Sequence, residues 1–298
     1  MISPLLWAMC NHIDKIVLDR YFKEGGVGTL IIVSALASVI ATPFLYLVDP
    51  SVLDVGSGSL GIIVVTAVLD IVLLWAYLNA MQRDDSSRVI VYYQLVPIFG
   101  IVAGWVFLGE IVSKDQLVAM LIVILGTSIV SLENVGGRFR FKGRTVGFML
   151  LACACWAAEL AIFKVVALEE NPWRSLFWKH VVLMILGVLM YLLIPRYRVS
   201  FKAAMRTNSV PLLSANLLNE VLYMLGTVSY GLAAMLAPVA LVLLTETFQS
   251  FFVFVMAILL ARFVPKLATE TVDRTHVAMK SVAICITGLG TYLLLVAR

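Results

Sequence analysis

From Val27 to Val48 not one residue carries a charge, and the same holds from Val55 to Leu69 and from Val181 to Ile194. A helix of about 20 such residues spans the hydrocarbon of a bilayer. Lipid offers nothing to loose backbone N–H and C=O groups, so such a chain crosses as helices. The whole sequence follows suit: 62% of its 298 residues are hydrophobic and 13% charged. Soluble domains hold roughly 45–50% and about 25%. A soluble fold of this length has no interior large enough to hide that much apolar surface.

Gly, Pro and charge clusters divide the chain. Crossings are expected near residues 2–21, 27–48, 59–81, 87–109, 115–133, 144–166, 173–195, 209–233, 237–261 and 275–297. The first run, Ile2 to Leu18, has neither a basic n-region before it nor a small-residue cleavage site after it, so it reads as a crossing. Separators are short, the longest being Pro195 to Asn208. Loops after the odd-numbered spans carry most of the basic residues, among them Arg83, Arg138, Arg140, Arg196, Arg198, Lys202 and Arg206. The positive-inside rule then puts both termini on the non-cytoplasmic side of a plasma (inner) membrane. The net charge of +4 reflects these loops and gives no basic domain for nucleic acid.

The two halves partly match each other. Leu6, Cys10 and Asp14 fall on Leu151, Cys155 and Glu159; Leu69-Asp70 falls on Asn219-Glu220; Gln94 falls on Glu246. Five spans is an odd number, so two such units run in opposite directions through the bilayer. The expected fold is an all-α integral membrane protein of ten transmembrane helices in two inverted five-helix repeats. Residues 1–135 and 143–298 form the repeats, and 136–142 a short basic linker. Inverted repeats are a transporter architecture with the substrate site between the halves.

Asp14, Asp70, Glu159, Glu220 and Glu246 sit inside spans. A carboxylate at a helix centre costs roughly 2.5–3.5 kcal/mol on insertion scales, so the five are expected to face the bundle interior or a wet cavity. Helical spacing sets Trp7, Cys10, Asn11 and Asp14 on one stripe, Cys155, Trp156, Glu159 and Phe163 on another, and Asn216, Glu220, Tyr223 and Thr227 on a third. Asp70 lines up with Tyr77, and Glu246 with Gln249 and Ser250. Three readings compete. The acids carry protons exchanged for substrate; or they face a cationic substrate beside Trp7, Trp156, Tyr77 or Tyr223; or they pair with Lys15, Lys164, Lys179, Lys280 or His180. The expected substrate and proton site is Asp14, Asp70, Glu159, Glu220, Glu246, Gln94, Asn11, Asn216, Tyr77, Tyr223, Trp7 and Trp156.

Other features weigh less. Lys15 and Lys164 lie near span ends and are expected to snorkel to water. Arg174, Lys179 and His180 open span seven beside Trp173 and Trp178, where interfacial anchoring is the favoured role over a vestibule for anions. Cys10, Cys153, Cys155 and Cys285 read as small buried side chains. His12 and His180 have no i,i+4 partner for a metal, so no metal and no cofactor is expected. Gly100 and Gly104, spaced G-x-x-x-G, suit close helix packing. With no phosphate-binding loop, H-E-x-x-H or G-x-S-x-G, an enzyme is not expected and transport is secondary.

From Trp75 through Gly126 the sequence resembles the drug/metabolite transporter superfamily in its EamA-type branch. The resemblance lies in Trp75-Ala76-Tyr77-Leu78-Asn79-Ala80, Asp84-Asp85-Ser86, Pro97, and Leu108-Gly109-Glu110 followed by Gln116 and Gly126. Tyr230, Ala233-Ala234 and Pro238 follow in similar order in the second half. The resemblance implies ten helices in two inverted units, a central cavity and alternating access for small metabolites. Leu260-Ala261-Arg262 and Glu246 depart from the pattern, and the family is usually drawn with cytoplasmic termini. The reading is therefore a secondary transporter for a small polar or cationic metabolite, monomeric or homodimeric, with membrane lipids around it. Alternatives are a flippase for an amphipathic lipid, with Arg174 and Lys179 on its headgroup, and an intramembrane lipid enzyme using a carboxylate with His12 or His180.

Overall fold

The computed structural model describes residues 2–21, 26–96, 98–100, 102, 113–130, 132–135, 138–169, 172–236, 239–265 and 274–296. Its helices are α1 (Ile2–Tyr21), α2 (Val27–Val48), α3 (Ser57–Met81), α4 (Ser86–Val91), α5 (Lys114–Val130), α6 (Gly143–Glu169), α7 (Pro172–Leu193), α8 (Pro195–Leu236), α9 (Val239–Phe263) and α10 (Arg274–Val296). Among the described residues, Val27–Val48, Gly58–Met81 and Trp173–Leu193 are by length and apolarity alone sufficient to cross a membrane. The protein is a helical, multi-pass membrane protein.

Local chemistry explains most of the breaks. Asp49 ends α2, and its side chain accepts from the Ser51 N–H at 2.9 Å to start a 3-10 turn over Pro50–Leu53. The helix expected over 87–109 runs differently. α4 tightens into a 3-10 turn at Tyr92–Leu95, just ahead of Pro97, whose nitrogen has no hydrogen to continue an α ladder. Residues 103–112, with Leu108-Gly109-Glu110, lie outside the described ones.

Two separators are ordered structure instead of loops. The linker belongs to an antiparallel hairpin, β1 (Leu132–Val135) with β2 (Arg138–Phe141), in the register Leu132–Phe141. Pro195 to Asn208 is the first limb of α8, which bends at Asn208 (φ −137°, ψ 32°). Pro211 causes the break: it cannot donate to the carbonyl of Thr207 and crowds it.

Helices of one half pack mainly on helices of the other. α3 lies against α6 and α7, α8 against α1 and α2, α2 against α7, and α5 against α10. The α5–α10 crossing brings backbones together, since a Cβ at Gly126 would sit 2.9 Å from the Thr287 nitrogen and one at Gly290 2.9 Å from that of Val123. Close packing thus falls there and not at Gly100, where a Cβ would meet nothing within 4 Å; Gly104 lies outside the described residues. Outer faces carry exposed Leu117, Leu121 and Leu125 on α5 and Leu189, Leu192 and Leu193 on α7, the composition lipid tails accept. Cys10, Cys153 and Cys155 are buried as expected; Cys285 is exposed, on an outward face of α10.

Candidate functional site

α1 supplies the polar centre. Its apolar turns place Trp7, Cys10, Asn11 and Asp14 on one inward stripe, and a relay of hydrogen bonds runs through it. Gln249 Nε2 donates to Asn11 Oδ1 at 2.8 Å, Asn11 Nδ2 to the Tyr77 hydroxyl at 2.8 Å, and that hydroxyl to Asp14 Oδ2 at 3.1 Å. Asn219 Nδ2 donates to the other carboxylate oxygen at 2.8 Å. Asp14 is 8% exposed, and among the described residues its partners are neutral donors with no cation. Glu220, next to Asn219, lies within electrostatic reach of Asp14.

A second centre lies on α3, α6 and α7. Lys179 Nζ sits 2.7 Å from Asp70 Oδ2 and 2.7 Å from Glu159 Oε1. An ammonium shared by two carboxylates at that distance forms charge-assisted hydrogen bonds. The expected interfacial anchoring of Lys179 is therefore overturned, because its side chain is 14% exposed and turned inward. The same contact answers the choice among partners for Asp70 and Glu159 in favour of an ion pair.

Between the two centres runs a belt of rings. Tyr77 stacks on Tyr93 (6.0 Å), Tyr93 meets Trp156 edge-on (4.8 Å), and Trp156 meets Trp7 edge-on (6.0 Å). Trp7 then lies 6.2 Å from Tyr223 and 5.6 Å from Tyr230. Trp7 Nε1 donates to the Tyr223 carbonyl at 3.4 Å. Gly226 lies beneath this indole, where a Cβ would stand 2.6 Å from Nε1. Tyr223 lies within electrostatic reach of Asp70, Glu159, Lys179 and Glu220, and so faces both centres.

Asn11, Asp14, Tyr77, Trp7, Trp156, Tyr223, Glu220, Asp70 and Glu159 therefore come together. Two expected members do not, and a third lies outside the described residues. Gln94 donates to Ser250 (3.2 Å) and accepts from Thr291 (3.0 Å), a crosslink to α9 and α10. Asn216 accepts from Ser34 at 3.2 Å, on the α2 side of α8. The Glu246 side chain lies outside the described residues, as does that of Lys164. Tyr93, Asn219, Gln249 and Lys179 were missed as members. The first three are uncharged and stand out from no neighbour in the sequence, whereas Lys179 carried a signal in being a lone cation facing two acids.

The basic-loop face holds a further set of charges. Asp84 pairs with Arg88 (2.7 Å) and Lys142 (3.2 Å), and Asp85 with Lys280 (3.1 Å). Lys15 does not snorkel: it donates to the Met81 carbonyl at 2.9 Å and pairs with Asp19 at 3.1 Å. His12 Nε2 lies 2.9 Å from the Val253 carbonyl and Nδ1 3.4 Å from Ser86 Oγ. A carbonyl only accepts, so Nε2 carries the proton. Among the described residues no group of three or more His, Cys, Asp or Glu is placed to hold a metal ion.

Residues 1–132 match the EamA-like transporter family, a member of the drug/metabolite transporter superfamily, which confirms the resemblance carried by Trp75 through Gly126. No curated protein matches the sequence. One solved crystal structure is similar at a TM-score of 0.51 with 13% identity, over 98% of this chain and 96% of its own. That likeness is one of fold, and it extends through the second half. By the family match, the first 132 residues are similar to membrane transporters of the drug/metabolite type.

Proposed function

We propose that the protein is a secondary transporter of a small polar or cationic metabolite, built from two inverted five-helix units, residues 1–135 and 143–298, that rock about the ring-lined centre. The helix contacts support the repeat. Exchanging each helix with the one five places on turns α3–α6 into α8–α1 and α3–α7 into α8–α2, and returns α2–α7 and α5–α10 to themselves; all of these pairs pack.

The same exchange relates the two acid centres, matching Glu159 with Asp14 and Asp70 with Glu220. In one centre the protein's own Lys179 supplies the cation; in the other α2 carries no charge anywhere from Val27 to Val48. That difference carries the reading. The Asp14–Glu220 centre is left to take its positive charge from outside, as a proton or as a cationic group held against Trp7 and Tyr223. Transport by alternating access follows from exchanging one for the other. The ion pairs of Asp84 and Asp85 tie the α3–α4 turn to the start of α6 and to α10 on the basic-loop face, and these are the contacts that part when that face opens.

In this reading the protein sits in a plasma (inner) membrane with the basic loops in the cytoplasm and both termini on the other side. The flippase alternative needs Lys179 free for a phosphate, and its ammonium is taken by two carboxylates. Flux of organic cations into proteoliposomes under a proton gradient tests the proposal. Asp14→Asn and Glu220→Gln are each expected to abolish gradient-driven uptake. Uptake that survives both substitutions with its gradient dependence intact defeats it.

A further inference from the structure

The first limb of α8 has no counterpart in a simple ten-span bundle. α8 is 42 residues long, about 63 Å at 1.5 Å per residue, twice the hydrocarbon thickness of about 30 Å. Pro195–Thr207, before the bend at Asn208, therefore lies outside the hydrocarbon, at the membrane boundary between two apolar spans.

The limb has two faces. One seats it on the bundle: Tyr197 lies against Gly28, Phe201 meets Tyr191 edge-on at 5.5 Å, and Ala204 and Met205 pack on the main core. The other presents Arg198, Lys202 and Arg206 at i, i+4 and i+8, one stripe on a helix. Val199 (66% exposed) flanks that stripe, and Val210 (76%) follows just past the bend. No acidic residue occurs from Asn171 through Asn219. Among the described residues no carboxylate pairs with these three cations or with Arg196, and Arg198 makes one long hydrogen bond, 3.5 Å to the Leu192 carbonyl.

We propose that this limb is a docking surface for anionic phospholipid headgroups, with Arg198, Lys202 and Arg206 on the phosphates and Val199 and Val210 reaching into the acyl boundary. A basic helix at a membrane surface with apolar residues beside its cations is the arrangement that binds anionic lipid. Arg88, Lys142 and Lys280, buried or half-buried cations of this face, have carboxylates, whereas the three cations of the limb do not among the described residues.

The test uses the full-length protein in nanodiscs of phosphatidylcholine mixed with phosphatidylglycerol, and measures by native mass spectrometry which lipid stays bound. The wild type is expected to retain phosphatidylglycerol preferentially, with the preference falling about five-fold for each cation removed. It disappears in R198Q/K202Q/R206Q and in high salt. K202Q/R206Q, which alters only exposed side chains, loses most of it and guards against a folding defect in the triple variant. Equal retention of the two lipids by the wild type overturns the proposal, as does an undiminished preference in the variants. A loss of the same size in R262Q/R274Q places the effect in overall charge and also overturns it. Stabilisation of the protein in pure phosphatidylcholine by inorganic phosphate, lost in the triple variant, assigns the stripe to a free anion instead.

Discussion

Asp14 and Glu159, aligned when the second half of the sequence is slid over the first, have opposite electrostatic surroundings. Glu159 shares the Lys179 ammonium with Asp70 at 2.7 Å on each side. Asp14 is held by a tyrosine hydroxyl and an asparagine amide, with Glu220 nearby. The first arrangement is a fastening: three helices meet at one cation, and its removal leaves two largely buried carboxylates without their shared counter-charge. The second is the centre that the proposed function leaves open to an arriving cation, because among the described residues its carboxylate is held by neutral donors. In the proposed repeat the acids keep their positions and differ in their partners; Lys179 on α7 divides them.

The largest effect is expected where the fastening is cut. Lys179→Met strands two buried carboxylates and is expected to cost about 3–5 kcal/mol, read as a drop in melting temperature of the detergent-solubilised protein. Adding Asp70→Asn and Glu159→Gln to Lys179→Met is expected to recover most of that loss. If the single variant melts like the wild type, the two centres do not differ as described. Gly226→Ala pushes a methyl against the Trp7 indole, which Trp156, Tyr223 and Tyr230 hold from the other sides. Overpacking of this kind costs about 1–3 kcal/mol, and tryptophan fluorescence should report the displaced ring.

Smaller effects separate structure from transport. Reversing both charges in Asp85→Lys with Lys280→Asp is expected to restore the coupling that either single reversal removes, by about 0.5–3 kcal/mol in a double-mutant cycle. Additive losses would show that the pair does not hold the basic-loop face together. Asp14→Asn keeps an acceptor for Tyr77 or Asn219 and is expected to change stability by less than about 1.5 kcal/mol. Transport should nonetheless stop. A variant that melts normally and transports normally would make Asp14 another structural acid and erase the contrast with Glu159.

Much of this arrangement was legible in the chain, for a physical reason: a charge-free run as long as α2 has one stable environment, and a carboxylate inside such a run has one direction to face. Helices α1, α2, α3 and α7 lie where apolar length and flanking Gly, Pro and charge put them. Pairing was not legible. Nothing local in Tyr93, Asn219 or Gln249 marks them as partners of this centre, since Asn219 reaches Asp14, Gln249 reaches Asn11 and Tyr93 reaches Tyr77, each across a gap of many residues.

What the sequence determined alone is the solvent: a chain of this apolarity folds in a bilayer, and its charges set the expectation of inward acids and basic loops on one side. Only the tertiary structure decided which acid meets which partner. It took Lys179 from the interface to the interior, turned the basic separator after Ile194 into a helical limb, and left Asp14 with neutral donors. Helix propensity and hydropathy act over neighbouring residues, whereas an ion pair forms only between side chains that packing brings within a few ångströms, and that distance is a property of the assembled bundle.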